Sequence, residues 1–329
     1  MVETTSWINC DDGAKLFVRR FAPEKKPITV IQIVHGMAEH SLRYRRLAKV
    51  LCSSCFEVWV GDMRGHGKTA DLSINGPDKG GLLGHCADKD GFSRVVSDLL
   101  IIAKHIIETT KKEYGDPTTQ ESGELPLFIL GHSWGSFLVQ AFIESYGSEV
   151  PLKGCILSGT RGPGGIKIAM GAPLVSLIAT LKGARKISKI SIALSSGSYN
   201  KPFKPNRTSC DWLSRDEKEV DAYIADPFCG FPCSAGFYRD MIGAFKVMHK
   251  KDAIARIHKD LPIYIFCGSA DPVGDMSASS TALVNAYRRE GINDLEFVLY
   301  PEARHETLNE TNRDEVTDDL LNWLLRRVH

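Results

Sequence analysis

Short apolar runs of four to seven residues alternate along most of this chain with longer stretches in which apolar residues return every three or four positions. Runs of the first kind, bounded by Gly, Pro and Asp, read as buried strands, and stretches of the second kind as helices with one face turned inward. The predicted strands begin with a hairpin, Thr5 to Asn9 and Lys15 to Phe21 across Asp11-Asp12-Gly13. Thr29 to Val34, Glu57 to Gly61, Leu127 to Leu130, Leu152 to Leu157, Ile263 to Cys267 and Leu295 to Tyr300 follow. Helices are predicted at Ser41 to Cys52, Phe92 to Tyr114, Trp134 to Tyr146, Ser277 to Arg289 and Arg313 to Arg327. The last carries Val316, Leu320, Leu321, Trp323 and Leu324 as its inward stripe. Such alternation predicts an α/β fold, a mostly parallel eight-stranded sheet with helices on both faces.

From about Thr160 to Lys250 the rhythm stops, and Gly, Pro and Ser punctuate short helical pieces. The expected organisation is a core from residues 1–159 and 251–329 with an inserted, mainly helical cap at 160–250. Ile166, Ile168, Met170, Leu174, Ile178 and Leu181 form one candidate apolar face, and Phe228, Phe231, Phe237, Tyr238, Met241 and Phe245 a bulky cluster. These residues either pack on the sheet or line a pocket for an apolar substrate.

Charge narrows the partners. Among 329 residues, 41 are Lys or Arg and 40 Asp or Glu, a formal net charge of +1, which offers no footprint for nucleic acid and no general attraction to anionic membranes. The start of the chain lacks a basic, apolar leader, and the apolar helix Val95 to Ile107 is interrupted by Ser97, Asp98, Lys104 and His105, so no stable membrane insertion is expected. Nine scattered cysteines point to free thiols in a reducing compartment, and hence to the cytoplasm. Cys52 with Cys55, and Cys229 with Cys233, are weak metal or redox candidates; the expectation is no metal. Oligomeric state is not legible.

The chemistry begins at Gly131-His132-Ser133-Trp134-Gly135, directly after the run ending at Leu130. A G-x-S-x-G segment between strand and helix is a nucleophile elbow, in which a sharp turn exposes the serine hydroxyl. A serine alkoxide needs a base, and the base an orienting carboxylate. Asp271, in Gly268-Ser269-Ala270-Asp271-Pro272, and His305, in Ala303-Arg304-His305-Glu306, each follow a predicted strand end and stand in the chain order Ser, Asp, His. Ser133, Asp271 and His305 are therefore the catalytic candidates. The oxyanion donors are expected to be the amides of Trp134 and of Met37 in His35-Gly36-Met37-Ala38-Glu39-His40. His35, an alternative base, is read with Gly36 and Glu39 as supporting the loop. Glu39 suits the positive end of the next helix, which Ser41 is expected to cap.

These blocks, with Arg43-Tyr44 and the turn Asp62-Met63-Arg64-Gly65-His66-Gly67, resemble the monoacylglycerol lipase and lysophospholipase branch of the α/β-hydrolase superfamily. The resemblance covers nearly the whole chain outside the insertion. It implies an α/β-hydrolase fold and hydrolysis of a small, lipid-like carboxylic ester through an acyl-enzyme, without metal or organic cofactor, under a cap that selects the acyl chain. Two positions depart from the pattern. Trp134 stands where methionine is common, and Ser136 where a second glycine is usual, so acyl-chain preference is not inherited from it. A thioesterase, a short-chain esterase, an acyltransferase or a peptidase would use the same residues, and an idle ligand-binding protein the same fold. Arg64 and His66 are read as holding neighbouring loops together.

Overall fold

The computed structural model describes residues 1–115, 124–163, 166–195 and 197–328, excluding the side chains of 166–172, 191, 194 and 195. Eight strands form one sheet: β1 (Val2–Asn9), β2 (Lys15–Ala22), β3 (Thr29–Val34), β4 (Phe56–Gly61), β5 (Leu127–His132), β6 (Leu152–Ser158), β7 (Ile263–Gly268) and β8 (Leu295–Tyr300). Their spatial order is β1-β2-β4-β3-β5-β6-β7-β8. The β1 and β2 strands run antiparallel, and every pair from β4 to β8 is parallel. This is the α/β-hydrolase architecture.

Strand periodicity divides the core. In β3, Val30 and Val34 face one hydrophobic cluster and Ile31 and Ile33 the other; in β5, Leu127 and Ile129 alternate in the same way with Phe128 and Leu130. The first cluster packs against α2 (Gly91–Tyr114), α3 (Trp134–Tyr146) and α9 (Ala278–Arg289) through Leu99, Phe142 and Tyr287. The second meets α1 (Arg45–Ser53) and α10 (Arg313–Val328) through Leu51, Leu320 and Trp323. Because both faces are covered, the central strands are buried at every position, which is why they read as unbroken apolar runs.

Between β6 and β7 lie α4 (Ile166–Lys182), α5 (Lys189–Ser195), α6 (Glu217–Ala225), α7 (Ala235–Phe245) and α8 (Lys251–Ile254). Local chemistry starts two of them: Asp216 accepts from the Lys218 amide at the head of α6, and Ser234 from the Phe237 amide at the head of α7. Phe237, Tyr238, Met241 and Phe245 join the large core cluster, with Phe231 packed against it, but Phe228 is exposed. The expected apolar face on α4 does not form as a unit. Ile178 is buried, whereas Leu174 and Leu181 are 45% and 76% exposed; the side chains of Ile166, Ile168 and Met170 lie outside the described residues. Helical spacing identified a stripe there without revealing what lies opposite it. Among the described residues no helix is long and apolar enough to cross a membrane. All nine cysteines are unbridged.

Candidate active site

The parallel strands β5, β7 and β8 deliver Ser133, Asp271 and His305 to the same edge of the sheet. Ser133 has φ 53° and ψ −122°, a conformation rarely tolerated by a residue with a side chain. Its neighbours permit the turn by having none: a Cβ on Gly131 would lie 2.5 Å from the Gly135 carbonyl oxygen, and one on Gly135 would lie 2.1 Å from that of Val34. The Ser133 amide donates to the Ser158 carbonyl (2.9 Å), anchoring the elbow to β6. Ser136 is buried and donates to the Ser133 carbonyl (2.6 Å), lying 2.7 Å from the Thr160 hydroxyl. The residue that departs from the family pattern thus braces the turn.

His305 Nε2 lies 2.7 Å from Ser133 Oγ, and its Nδ1 lies 3.0 Å from each carboxylate oxygen of Asp271. Two acceptor oxygens at Nδ1 fix the proton there and leave the Nε2 lone pair facing the hydroxyl. The loops after β7 and β8 hold this register through their backbones: the Ala270 amide donates to Ala303 (3.0 Å), and a Cβ on Gly268 would sit 2.0 Å from the Ala303 carbonyl oxygen. Burial opposes a charge on His305, but the adjacent Asp271 carboxylate outweighs it and raises the imidazole above its ordinary range. The other histidines nearby go the opposite way. Burial pulls His132 down to about 4 and His66 to about 3, and also lowers His35.

His35 does not face the serine as a base. Its Nε2 accepts from the Met63 amide (2.9 Å) and its Nδ1 donates to the Gly36 carbonyl (2.8 Å), so both nitrogens are engaged in shaping the loop. Met37 and Trp134 line one cavity with Ser133, and Trp134 opens α3, where first-turn amides lack an intrahelical acceptor. Ala38 is held at φ 55°, its carbonyl accepting from the Gly230 amide (2.9 Å) and the Tyr223 hydroxyl (3.0 Å). Glu39 turns back under this loop, accepting from the Gly36 amide, the Tyr44 hydroxyl (2.9 Å) and Arg43 (2.7 Å). Arg43 also bridges Glu306 through two 2.7 Å contacts, forming a buried acid-base-acid row beside the His305 loop. Despite burial, Arg43 lowers Glu39 to about 2 and keeps Glu306 below its ordinary range.

Ser41 is not a helix cap. Its hydroxyl accepts from Arg19 Nε (3.1 Å) and its amide donates to Asp62 (2.7 Å), because the chain enters α1 through a short 3-10 turn. Arg64 is ion-paired with Asp98 and Asp12, and His66 stacks on the Trp134 indole with centroids 5.1 Å apart. Trp134 is 2% exposed between His66 and Phe237; it shapes one wall of the cavity from behind.

Several residues about the site carry no motif. Trp212 packs against the His305 ring in a tilted arrangement, centroids 5.1 Å apart, while its carbonyl and that of Leu213 accept from the His305 and Glu306 amides (3.4 and 2.7 Å). Arg161, Tyr199, Met241, Ile242 and Phe245 also line the cavity, which encloses about 680 Å³. The one signal available for Arg161 was position, immediately past a strand end on the edge that bears Ser133.

Among the described residues a single cluster of metal-ligand side chains converges: His40, Asp226 and Cys229. His40 and Asp226 are already bonded to each other (2.8 Å), and burial raises the Cys229 thiol, which disfavours the thiolate a metal needs. Cys233 is not part of this group.

A monoacylglycerol lipase from Mycolicibacterium smegmatis is 27% identical over 318 residues, covering 96% of this chain and 95% of that one. A monoglyceride lipase from Mus musculus is 26% identical, covering 96% and 89%. The solved structure of a thermostable carboxyl esterase from Bacillus coagulans, in complex with glycerol, superimposes with a TM-score of 0.86 at 25% identity over the whole of both chains. The family model described as serine aminopeptidase, S33, matches residues 25–312, and the chain belongs to that family of hydrolases.

Proposed function

We propose that the protein is a serine carboxylic-ester hydrolase of the lipase type, acting on a monoacylglycerol or lysophospholipid with Ser133 as nucleophile, His305 as base and Asp271 as the carboxylate that orients it. The reading is carried by one observation, the 2.7 Å approach of His305 Nε2 to Ser133 Oγ with both Asp271 oxygens on Nδ1. Ser133 Oγ attacks the acyl carbon as its proton passes to His305 Nε2. The tetrahedral oxyanion accepts hydrogen bonds from the Met37 and Trp134 amides, and His35, Gly36 and Glu39 hold that loop in place. Collapse breaks the bond to the alcohol oxygen, which takes the proton from His305. Water, deprotonated by the same nitrogen, then attacks the acyl-enzyme and releases the acid.

The substrate class draws support from the cavity wall, where Trp134, Phe137, Met241, Ile242, Phe245 and Val273 suit an acyl chain, and from the lipase names of the relatives. We take residues 160–250 as the cap over this cavity, and the nine unbridged cysteines as support for a cytoplasmic location. Reaction with a fluorophosphonate, read by peptide mass, tests the nucleophile. Label on Ser133, lost in Ser133→Ala, is expected; an unlabelled protein that also leaves acylglycerols and p-nitrophenyl esters intact would be a binder. A panel of monoacylglycerols and lysophospholipids of graded length reads the acyl preference.

A further inference from the structure

Arg161 is the only lysine or arginine among the described residues that line the cavity. Every other guanidinium near the catalytic loops is committed: Arg43 to Glu39 and Glu306, and Arg304 to the carbonyls of Asp211 and Ser214. Arg161 has no carboxylate within ion-pairing distance among the described residues, and its Nε is buried without a hydrogen-bond partner. Its guanidinium lies over the Phe245 ring, 5.6 Å from the centroid. A buried N–H left unbonded costs about 1–3 kcal/mol, so an acceptor brought in by a ligand would be favoured at this position of the cavity wall.

The backbone beneath this side chain is tied down. Gln140 donates to the Thr160 hydroxyl (2.8 Å) and to the Arg161 carbonyl (3.1 Å), and the Gly162 amide donates to Ser279 (3.1 Å). Since Thr160 also contacts Ser136 one turn into α3, the arginine is held on the same edge as the nucleophile. His249 sits beside it but adds no second charge, because burial and Arg161 lower its pKa to about 4. Arg43 pairs with both Glu39 and Glu306 and leaves that row one net negative charge, set behind the Ser133-His305 side of the cavity, while Asp275 at the exposed rim is the one acid of the lining without an ion pair among the described residues.

Resting on the esterase reading above, we infer that Arg161 forms an anion subsite, and that the preferred substrate carries a phosphate on its alcohol, as in a lysophospholipid, in place of the free hydroxyls of a monoacylglycerol. An acyl glycerophosphate holds its phosphate a few bonds from the ester, so one molecule can present its carbonyl to Ser133 and its anion to an arginine on the same edge. Charge-assisted hydrogen bonds to a guanidinium are the strong kind and match phosphate geometry.

The test compares kcat/KM for 1-octanoyl-glycerol, 1-octanoyl-glycerol-3-phosphate and the octanoyl ester of glyceric acid, all below their micelle concentrations. The phosphate ester is expected to exceed the neutral ester by about ten-fold, the ratio falling toward one in Arg161→Gln, staying partly elevated in Arg161→Lys and shrinking with added salt. A ratio of one in the unmodified enzyme, or one indifferent to Arg161→Gln, overturns the inference; a preference for the glyceric acid ester alone overturns the phosphate assignment. Fluorophosphonate labelling and p-nitrophenyl octanoate hydrolysis are run in parallel. If both fail, the esterase reading itself falls; if both hold while the ratio is flat, only the anion subsite falls.

Discussion

The strand-end edge that carries Ser133, Asp271 and His305 and the helical segment above it are built on different rules. At the edge nearly every polar group is assigned: Asp271 is fully buried and bonded to His305 and the Val273 amide, and the elbow is laced to β6. The helical segment leaves Leu174, Leu177, Leu181 and Ile187 at 45–76% exposure, while its 209–230 stretch is tied to the His35 and His305 loops through the Trp212 and Leu213 carbonyls, the Gly230 amide, the Tyr223 hydroxyl and the Arg215–Glu310 ion pair. Groups that move a proton need sub-ångström placement and are overdetermined by the sheet. Groups that choose a substrate need shape and charge, and several that line the cavity, Trp212, Met241, Ile242 and Phe245, come from the helical segment.

The contrast predicts that damage at the edge falls on turnover, and that damage to the proposed cap falls on selectivity except where a cap residue touches the edge. The largest effect is expected for Ser133→Ala and His305→Ala, each lowering kcat by about 10^4-fold or more with the thermal transition little changed; Asp271→Asn should cost about 10^3- to 10^4-fold. Retained activity in the purified His305 variant would break the comparison. Next comes Arg43→Met, which strands two buried carboxylates. A loss of about 3–5 kcal/mol in denaturant unfolding is expected, larger at neutral pH than near pH 4, where Glu39 and Glu306 gain protons more readily in the variant. Where the proposed cap touches the edge the two effects merge: Trp212→Ala should lower kcat/KM by about ten-fold with less than about 1 kcal/mol of destabilisation, through the His305 ring it packs against.

Titration sharpens the same contrast. Asp271 raises His305 whereas burial lowers His35, His66 and His132, so log kcat/KM should climb with pH as a single group with its midpoint above the ordinary histidine value of 6.5. Two midpoints, or a flat profile from about pH 5 to 8, would contradict a lone His305 base. A last effect concerns stability alone. Burial raises Glu144 from 4.5 to about 9, so the folded state holds its proton while the unfolded state releases it, and stability drains as pH climbs between those values. Glu144→Gln should therefore stabilise little at pH 4 and increasingly toward pH 9, by unfolding at the two extremes.

What the amino-acid sequence disclosed follows the same division. The eight strands stand within a few residues of their expected ends because a strand buried on both faces is apolar whatever packs on it, and the strand ends carried the Ser, Asp and His loops with them. The helical segment was legible as helical but not as to direction, since the spacing of Leu174, Ile178 and Leu181 is equally regular whether the stripe meets the sheet or faces outward. Ser41 has the chemistry of a cap and lost that role to a tertiary contact with Arg19. Trp212 sits in a loop with no periodicity to mark it, so its proximity to the site emerges only once the chain is folded, and Arg161 was marked by nothing but its place after the β6 strand end.

The central claim, a Ser133 alkoxide generated by His305, is tested most directly by acid-quenching the enzyme milliseconds after mixing with p-nitrophenyl octanoate and mapping the acyl group by peptide mass. The account predicts a stoichiometric octanoyl adduct on the peptide containing Ser133, formed with the burst of nitrophenol and absent from Ser133→Ala. An adduct on another residue, or full turnover by Ser133→Ala, would contradict it.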